Sequence, residues 1–538
     1  MKLFQILNFS LVILLTPGAV LLAAEEEPVP AEISIGERLF IETRFAQAYA
    51  VHPDKADPAM QYSLTLGKKL PGPFAGKTMN CRSCHMVDEH AETVGAGMRS
   101  YADFAEKTPI PARNDGKKTT GRNSMSLVNI MLPPTDAELF HFDGEFNSME
   151  DLVRATLTGR NYGWLAKEHD AAVKHIAAII RNDDGNGELA KEFGGSYKKI
   201  LAGKDRSIPA KFVLPESYRV DVVKASDTEI VDKVASLITA YVADLNFSKD
   251  EQGRYNASPY DKFLQLNRLP QKPLNGESNT AYAERLTAAV NDLQAPRYLI
   301  TNAEKFATHK QDFKFGRQEL QGLKLFLTKG TDKQRGGNCV SCHTPPDFTD
   351  FGFHNTGVVQ KHYDATHGAG AFVTLTIPDL ATRNKDYNAF LPATAKHPEA
   401  KERFRSAVNK KTPGNVDLGA WNVFANPDIP APQAKLKALF CKQAKLAASA
   451  CTEDALLPIT IATFKTPSLR DLGHSEPYMH SGAMHDLSSV LTHYIATSAL
   501  AKAGKVRNAD EALSSINLSA EDIKTLEAFL HALNEDYD

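Results

Sequence analysis

The sequence predicts a mainly α-helical chain made of two related modules. Three observations carry that reading. The run Cys-x-x-Cys-His occurs twice, at 81–85 and 339–343. Each copy follows a helical segment with a Gly-x-x-Leu-Phe core, Gly36 to Phe40 and Gly322 to Phe326. Amphipathic runs such as AAVKHIAAII, DKVASLITAYVADL and EDIKTLEAFLHAL dominate the rest, and strictly alternating strand patterns are few.

Taken in chain order, Lys2 precedes an apolar stretch over 11–24, and Glu25, Glu26 and Glu27 follow. This reads as an export signal over 1–24, favoured over an anchor because Pro17 and Gly18 interrupt a stretch short of the ~20 apolar residues that span a bilayer. The mature chain is expected in an oxidising compartment, the periplasm, with no membrane span. With 538 residues, two or more domains are required. The 42% hydrophobic and 24% charged content excludes wholesale disorder, and a net charge of −3 offers no basic footprint for nucleic acid.

Each Cys-x-x-Cys-His run is the signature of covalent c-type haem attachment. Two thiols three residues apart reach the two vinyl groups of one porphyrin edge, and the adjacent imidazole reaches the iron. Cys81, Cys84 and His85 therefore form one candidate unit, and Cys339, Cys342 and His343 another. A structural zinc would need four ligands at paired spacing, and a redox dithiol gives no reason for a trailing His, twice. Cys441 and Cys451 are read as a disulfide closing a short loop.

Downstream of each motif lies a Ser-Leu turn (RNSMSLVNI; FKTPSLRDL), then a loop glycine, Gly144 or Gly482, and an amphipathic helix. The expected architecture is two cytochrome c-like domains from a duplicated mono-haem module, with long wrapping loops such as 347–384. The Asn-, Pro-, Gly- and Gln-rich stretch 250–277 is taken as the connection, so the domains are placed at 25–285 and 286–538. Twelve residues past the loop glycine stand Thr156 in the first module and Tyr494 in the second. Only the second offers a good iron ligand there.

Both motifs, RNSMSLVN and FKTPSLRDL with PYMHSG, resemble the bacterial di-haem cytochrome c peroxidase and MauG family. The resemblance implies a peroxide-reacting haem in the N-terminal domain, an electron-transfer haem in the C-terminal domain and a calcium ion between them. It carries calcium binding to Asn123, Ser475 and Pro477, the last two through backbone carbonyls. It makes Tyr494 the distal ligand of the second iron, where ordinary peroxidases have Met and MauG has Tyr; the alternatives are that Tyr494 only packs, or that His493, Met479 or Met484 ligates. Phe142, beside His141, stands where relatives have an inter-haem Trp; the only tryptophans are Trp164 and Trp421. Where relatives place a distal Glu, this chain has Arg160, Asn161 and Tyr162, leaving Glu145, Glu150 or Glu168 as carboxylates the fold could bring in.

The implied activity is reduction of hydrogen peroxide at the N-terminal haem, with electrons relayed through the C-terminal haem from a small exported cytochrome c or cupredoxin. Two competitors remain: a MauG-like oxidase that uses a bis-ferryl state to oxidise a protein side chain, and a non-enzymatic di-haem electron carrier. A homodimer is left open as the assembly.

Overall fold

The computed structural model describes residues 29–53, 80–81, 84–85, 110–134, 137–300, 304–307 and 309–536. The export-signal segment lies outside them. Helices carry the architecture. Among the described residues the only sheet is an antiparallel pair, Phe353–His354 with Phe464–Lys465.

The two lead-in glycines explain why the modules look alike. Helix Ala31–Phe40 packs on helix Asp227–Asp244, and helix Arg317–Leu327 packs on helix Ala520–His531. A Cβ on Gly36 would lie 2.2 Å from the Leu237 carbonyl oxygen, and one on Gly322 would lie 2.2 Å from that of Thr525. No other residue lets the backbones approach so closely. One turn on, Phe40 meets Tyr241 edge-on at 5.1 Å and Phe326 meets Phe529 at 5.2 Å.

The segments after the motifs repeat as well. Asn129 (φ 59°) and Asp471 (φ 58°) both adopt the left-handed conformation. Their backbone N–H groups donate to the carbonyls of Leu245 and Leu533, just past the partner helices, at 2.8 and 3.1 Å. The loops then close by matching bridges, Phe140 with Phe146 and Tyr478 with Met484, around Gly144 (φ 74°) and Gly482 (φ 65°). Ser148 and Asp486 cap the helices that follow, Met149–Leu157 and Leu487–Lys502, by accepting from Asp151 N and Ser489 N. Thr156 and Tyr494 thus sit at equivalent places.

Buried apolar side chains form three clusters rather than two. The first runs from Ile35 to Tyr255, and the second from Tyr260 to Leu533. The changeover between these two clusters falls between 255 and 260. Part of the expected connection is a helix, Pro259–Leu266, capped by Ser258, whose Tyr260, Phe263 and Leu264 are buried in the second cluster. Its polar flanks disguised one short amphipathic turn pair.

The third cluster is the larger departure. Residues expected as wrapping loop include helix Val358–His367 and join a core around fully buried Trp421, with Tyr363, Phe404 and Leu418. Arg383 stabilises it from inside, donating to the carbonyls of Trp421 and Phe424 at 2.6 and 2.9 Å. Cys441 and Cys451 are disulfide-bonded at the end of helix Gln433–Gln443, with Cα atoms 5.7 Å apart. No helix among the described residues is long and apolar enough to cross a membrane.

Candidate haem sites

Both Cys-x-x-Cys-His runs fold into the same turn. The amides of Cys84 and His85 donate to Cys81 O at 3.0 and 2.9 Å; those of Cys342 and His343 donate to Cys339 O at 3.3 and 2.9 Å. Unlike Cys441 and Cys451, these four cysteines are not disulfide-bonded. Burial pushes the Cys81 thiol up to about 11 and the Cys339 thiol up to about 12. A dithiol redox centre needs the opposite, a lowered thiol pKa.

Both motif histidines are anchored through Nδ1. His85 Nδ1 lies 2.9 Å from the Met125 carbonyl, and His343 Nδ1 lies 3.1 Å from that of Phe348. Such a bond fixes ring orientation and tautomer and leaves the Nε2 lone pair able to bind a metal. Burial lowers both pKa values, His85 to about 4, so each ring stays neutral at physiological pH and keeps its lone pair.

A largely apolar cavity of about 280 Å³ lies between the modules. Cys339, Cys342, His343 and Tyr494 line one side, and Asn123, Met125 and Phe142 the other. The donor set and the apolar wall fit a haem seated on His343 with Tyr494 facing into the same space. Burial and the nearby cysteines raise the Tyr494 hydroxyl above its ordinary pKa. Of the alternative ligands, Met479 and Met484 both belong to the loop before the helix, and only Met479 lines the cavity. His493 points elsewhere, with Nε2 2.9 Å from Thr356 O.

The calcium candidates also converge. Asn123 and Pro477, 354 residues apart, are in contact through the Asn123 side-chain amide and the Pro477 carbonyl. The Asn123 N–H donates to His480 O at 2.8 Å. Ser475 is buried, and all three residues line the cavity. An amide side chain with backbone carbonyls is a neutral oxygen set of the kind a hard cation accepts.

The distal candidates divide. Tyr162 is buried with its hydroxyl 3.2 Å from Cys81 Sγ, at the attachment edge of the first site. Arg160 is engaged with Asp115 at 2.6 Å and with Pro111 O at 2.8 Å, and Asn161 is exposed. Glu145 is bound by Arg405 at 2.6 Å and by His141 at 3.2 Å; although burial opposes it, Arg405 holds the carboxyl well below its usual range. Glu168 is paired with Arg113 at 2.6 Å, and Glu150 is exposed. None of these carboxylates lines the inter-module cavity. Nor does either tryptophan: Trp164 donates to Phe45 O in the first core, and Trp421 lies in the third.

Some residues at these sites escaped the sequence reading. An Asn precedes each motif, Asn80 donating to Ile41 O and Asn338 to Ala512 O, both at 3.0 Å. Its recurrence at one offset was the available signal. His354 is clamped by Asp350 (2.8 Å) and Asp510 (2.5 Å) beside Cys342. Against the effect of burial, these carboxylates raise it well above its usual pKa, so an imidazolium flanks the second site. No local spacing announces Asp510. Lys465 lines the cavity with its amino group on Leu139 O, and burial lowers it to about 8.

No protein-family model matches the chain. A curated cytochrome-c peroxidase, IdrP1 of Pseudomonas sp. (strain SCT), is 25% identical over 219 residues, which is 40% of this chain and 40% of that protein's length. Among solved structures, a MauG-like protein associated with microbial copper homeostasis aligns over 98% of this chain and 96% of its own, at 15% identity and a TM-score of 0.44. The diheme peroxidase BthA from Burkholderia thailandensis E264 aligns over 94% and 87%, at 16% identity and a TM-score of 0.42. With two Cys-x-x-Cys-His runs in matched turns and a cytochrome-c peroxidase among its relatives, the chain resembles the bacterial di-haem cytochrome c peroxidase and MauG family.

Proposed function

We propose that this chain is an exported, periplasmic di-haem c-type peroxidase that reduces hydrogen peroxide at its N-terminal site. Electrons reach that site through the C-terminal one from a small cytochrome c or cupredoxin. Haem, when bound, supplies the redox chemistry that cleaves the O–O bond. Cys81 and Cys84 would hold one haem covalently and Cys339 and Cys342 the other, with His85 and His343 as proximal ligands. The Met125 and Phe348 carbonyls orient those rings and make them more basic.

The observation that carries the proposal is the asymmetry at one repeated position. Thr156 would offer no ligand at the first site, leaving room for peroxide there, whereas Tyr494, half-buried on the cavity wall of the second, would supply a ligand to the other haem. Tyr162, kept protonated by burial, positions the Cys81 edge of the first site. Arg160 and Glu145 serve in ion pairs that hold the neighbouring loops. Asn123, Ser475 and Pro477 would hold a calcium ion between the modules.

The test is spectroscopic and kinetic. The ferric protein is expected to show one high-spin and one low-spin haem, and steady peroxide turnover with a reduced small cytochrome c. Two low-spin haems indifferent to peroxide would make it an electron carrier instead. A second reading, a MauG-like oxidase acting on a protein side chain, is favoured by Tyr494 itself. It predicts peroxide oxidation of both haems without donor turnover. Calcium chelation is expected to slow turnover and leave both haems attached, read by activity before and after calcium is restored.

A further inference from the structure

Among the described residues, and apart from the haem sites and the His141, Asp143 and Glu145 group held by Arg122 and Arg405, one cluster of ligating side chains has no role in the proposed chemistry. His309, from the segment before helix Arg317–Leu327, meets Asp471 and His474 from the loop after the second Ser-Leu turn. His309 Nε2 lies 2.8 Å from Asp471 Oδ1, and His474 Nδ1 lies 2.8 Å from Asp471 Oδ2. The two imidazoles stack with centroids 3.9 Å apart, so both present a nitrogen to the carboxylate from one side. The side chains are 5%, 1% and 5% exposed.

Two features set the group apart from an ordinary hydrogen-bonded triad. Asp471 Oδ1 has no donor aligned on it, although His309 Nε2 is at contact distance. One ligand atom from each of His309, Asp471 and His474 lies within 4.8 Å of the others, close enough to share a single ion. The seat is also shaped for the ring: a Cβ at Gly473 would fall 2.9 Å from His309 Cε1, so the glycine leaves the space that the imidazole fills. Burying a carboxylate with two imidazoles carries a desolvation cost that a bound cation offsets.

We propose that His309, Asp471 and His474 form a structural site for a zinc-class divalent cation. Two imidazoles and one carboxylate are a borderline nitrogen and oxygen set suited to zinc rather than to calcium. The Glu535 carbonyl lies 3.4 Å from His309 Nε2, within hydrogen-bond reach of that ring. The site is distinct from the calcium candidates, since neither Asp471 nor His474 lines the inter-module cavity. Its role is to tie the 309 segment to the loop that leads into the second site.

The test uses the full-length, haem-loaded protein purified without metal-affinity resin. Elemental analysis is expected to find one zinc per chain beyond the two irons. Cobalt(II) added to chelator-treated protein is expected to give the intense visible bands of a four-coordinate site with nitrogen ligands. His309→Ala and Asp471→Asn should each weaken zinc binding at least about tenfold, while the haem absorption spectrum reports that the chain has folded. Absence of zinc together with a featureless cobalt spectrum would overturn the site, leaving a hydrogen-bonded triad only. So would unchanged zinc retention in a folded His309→Ala protein.

Discussion

At matched places after the first attachment motif the chain carries Val128, Asn129 and Thr156; after the second it carries Arg470, Asp471 and Tyr494. At the middle pair the backbone takes the same left-handed turn, with φ 59° at Asn129 and 58° at Asp471. The side chains have different work. Val128 is buried in the first apolar cluster and Asn129 bonds Tyr255 at 3.1 Å. Arg470 instead lies at the centre of a buried charge group, bonding Asp261 twice at 3.0 Å and Glu535 at 2.9 Å, and rests 3.6 Å above the Tyr255 ring of the other cluster. Close helix contacts and left-handed turns fix where each Cys-x-x-Cys-His turn sits, and the residues at matched positions give the two turns different surroundings.

The sharpest test of that division replaces the second proximal ligand. His343→Gly should lower donor-supported peroxide turnover by more than about 100-fold, beyond the loss typical of an outer-shell change. Peroxide should still perturb the spectrum of the first haem. Equal loss of both responses would show that the modules do not divide the labour.

Tyr494→Met comes next. A thioether favours ferrous iron where a phenolate favours ferric, so the second haem's potential should rise by on the order of 100 mV, within the ~0.8 V range that axial ligands span. Potentiometric titration measures it, and an unmoved potential would reduce Tyr494 to a packing residue.

The shared backbone is tested by Gly36→Ala and Gly322→Ala. Each added methyl collides with a carbonyl at 2.2 Å, so each should cost about 1–3 kcal/mol in urea unfolding. A large cost at one site and none at the other would break the equivalence of the two crossings.

The smallest effect concerns the charge group found only in the second module. Burial, with Asp261 nearby, pushes Glu535 up to about 8 despite Arg470. The folded chain therefore keeps a proton that the unfolded chain releases near 4.5, so this group's contribution to stability falls as pH rises from about 4.5 to about 8. Glu535→Gln should flatten that slope by about 3 °C in Tm across the window, followed by thermal melts at several pH values.

Much of this was legible in the sequence because it is local. The attachment runs, the lead-in glycines, the Ser-Leu turns and the Thr156/Tyr494 contrast each lie within a few residues of a motif. What escaped depends on pairing over long separations. Asp510 meets His354, Asp417 meets Arg122 and Arg405 meets Glu145 without any shared spacing. The third core escaped for a related reason. It is assembled from stretches such as Leu380–Lys385 and Tyr387–Phe390, too short for helical periodicity to register. The reading of 250–277 failed on one eight-residue helix set among turn residues.

The third core has a mechanical consequence. It is encoded inside the second half of the chain, yet it is fastened to the first. Arg122 joins Asp143 to Asp417 at 2.6 Å on each side, Arg405 grips Glu145, and Leu139 is buried within its apolar interior. Rotating one half against the other would strand these desolvated charges, at several kcal/mol for each broken pair. The segment acts as a clasp, fixing the distance between the two Cys-x-x-Cys-His turns.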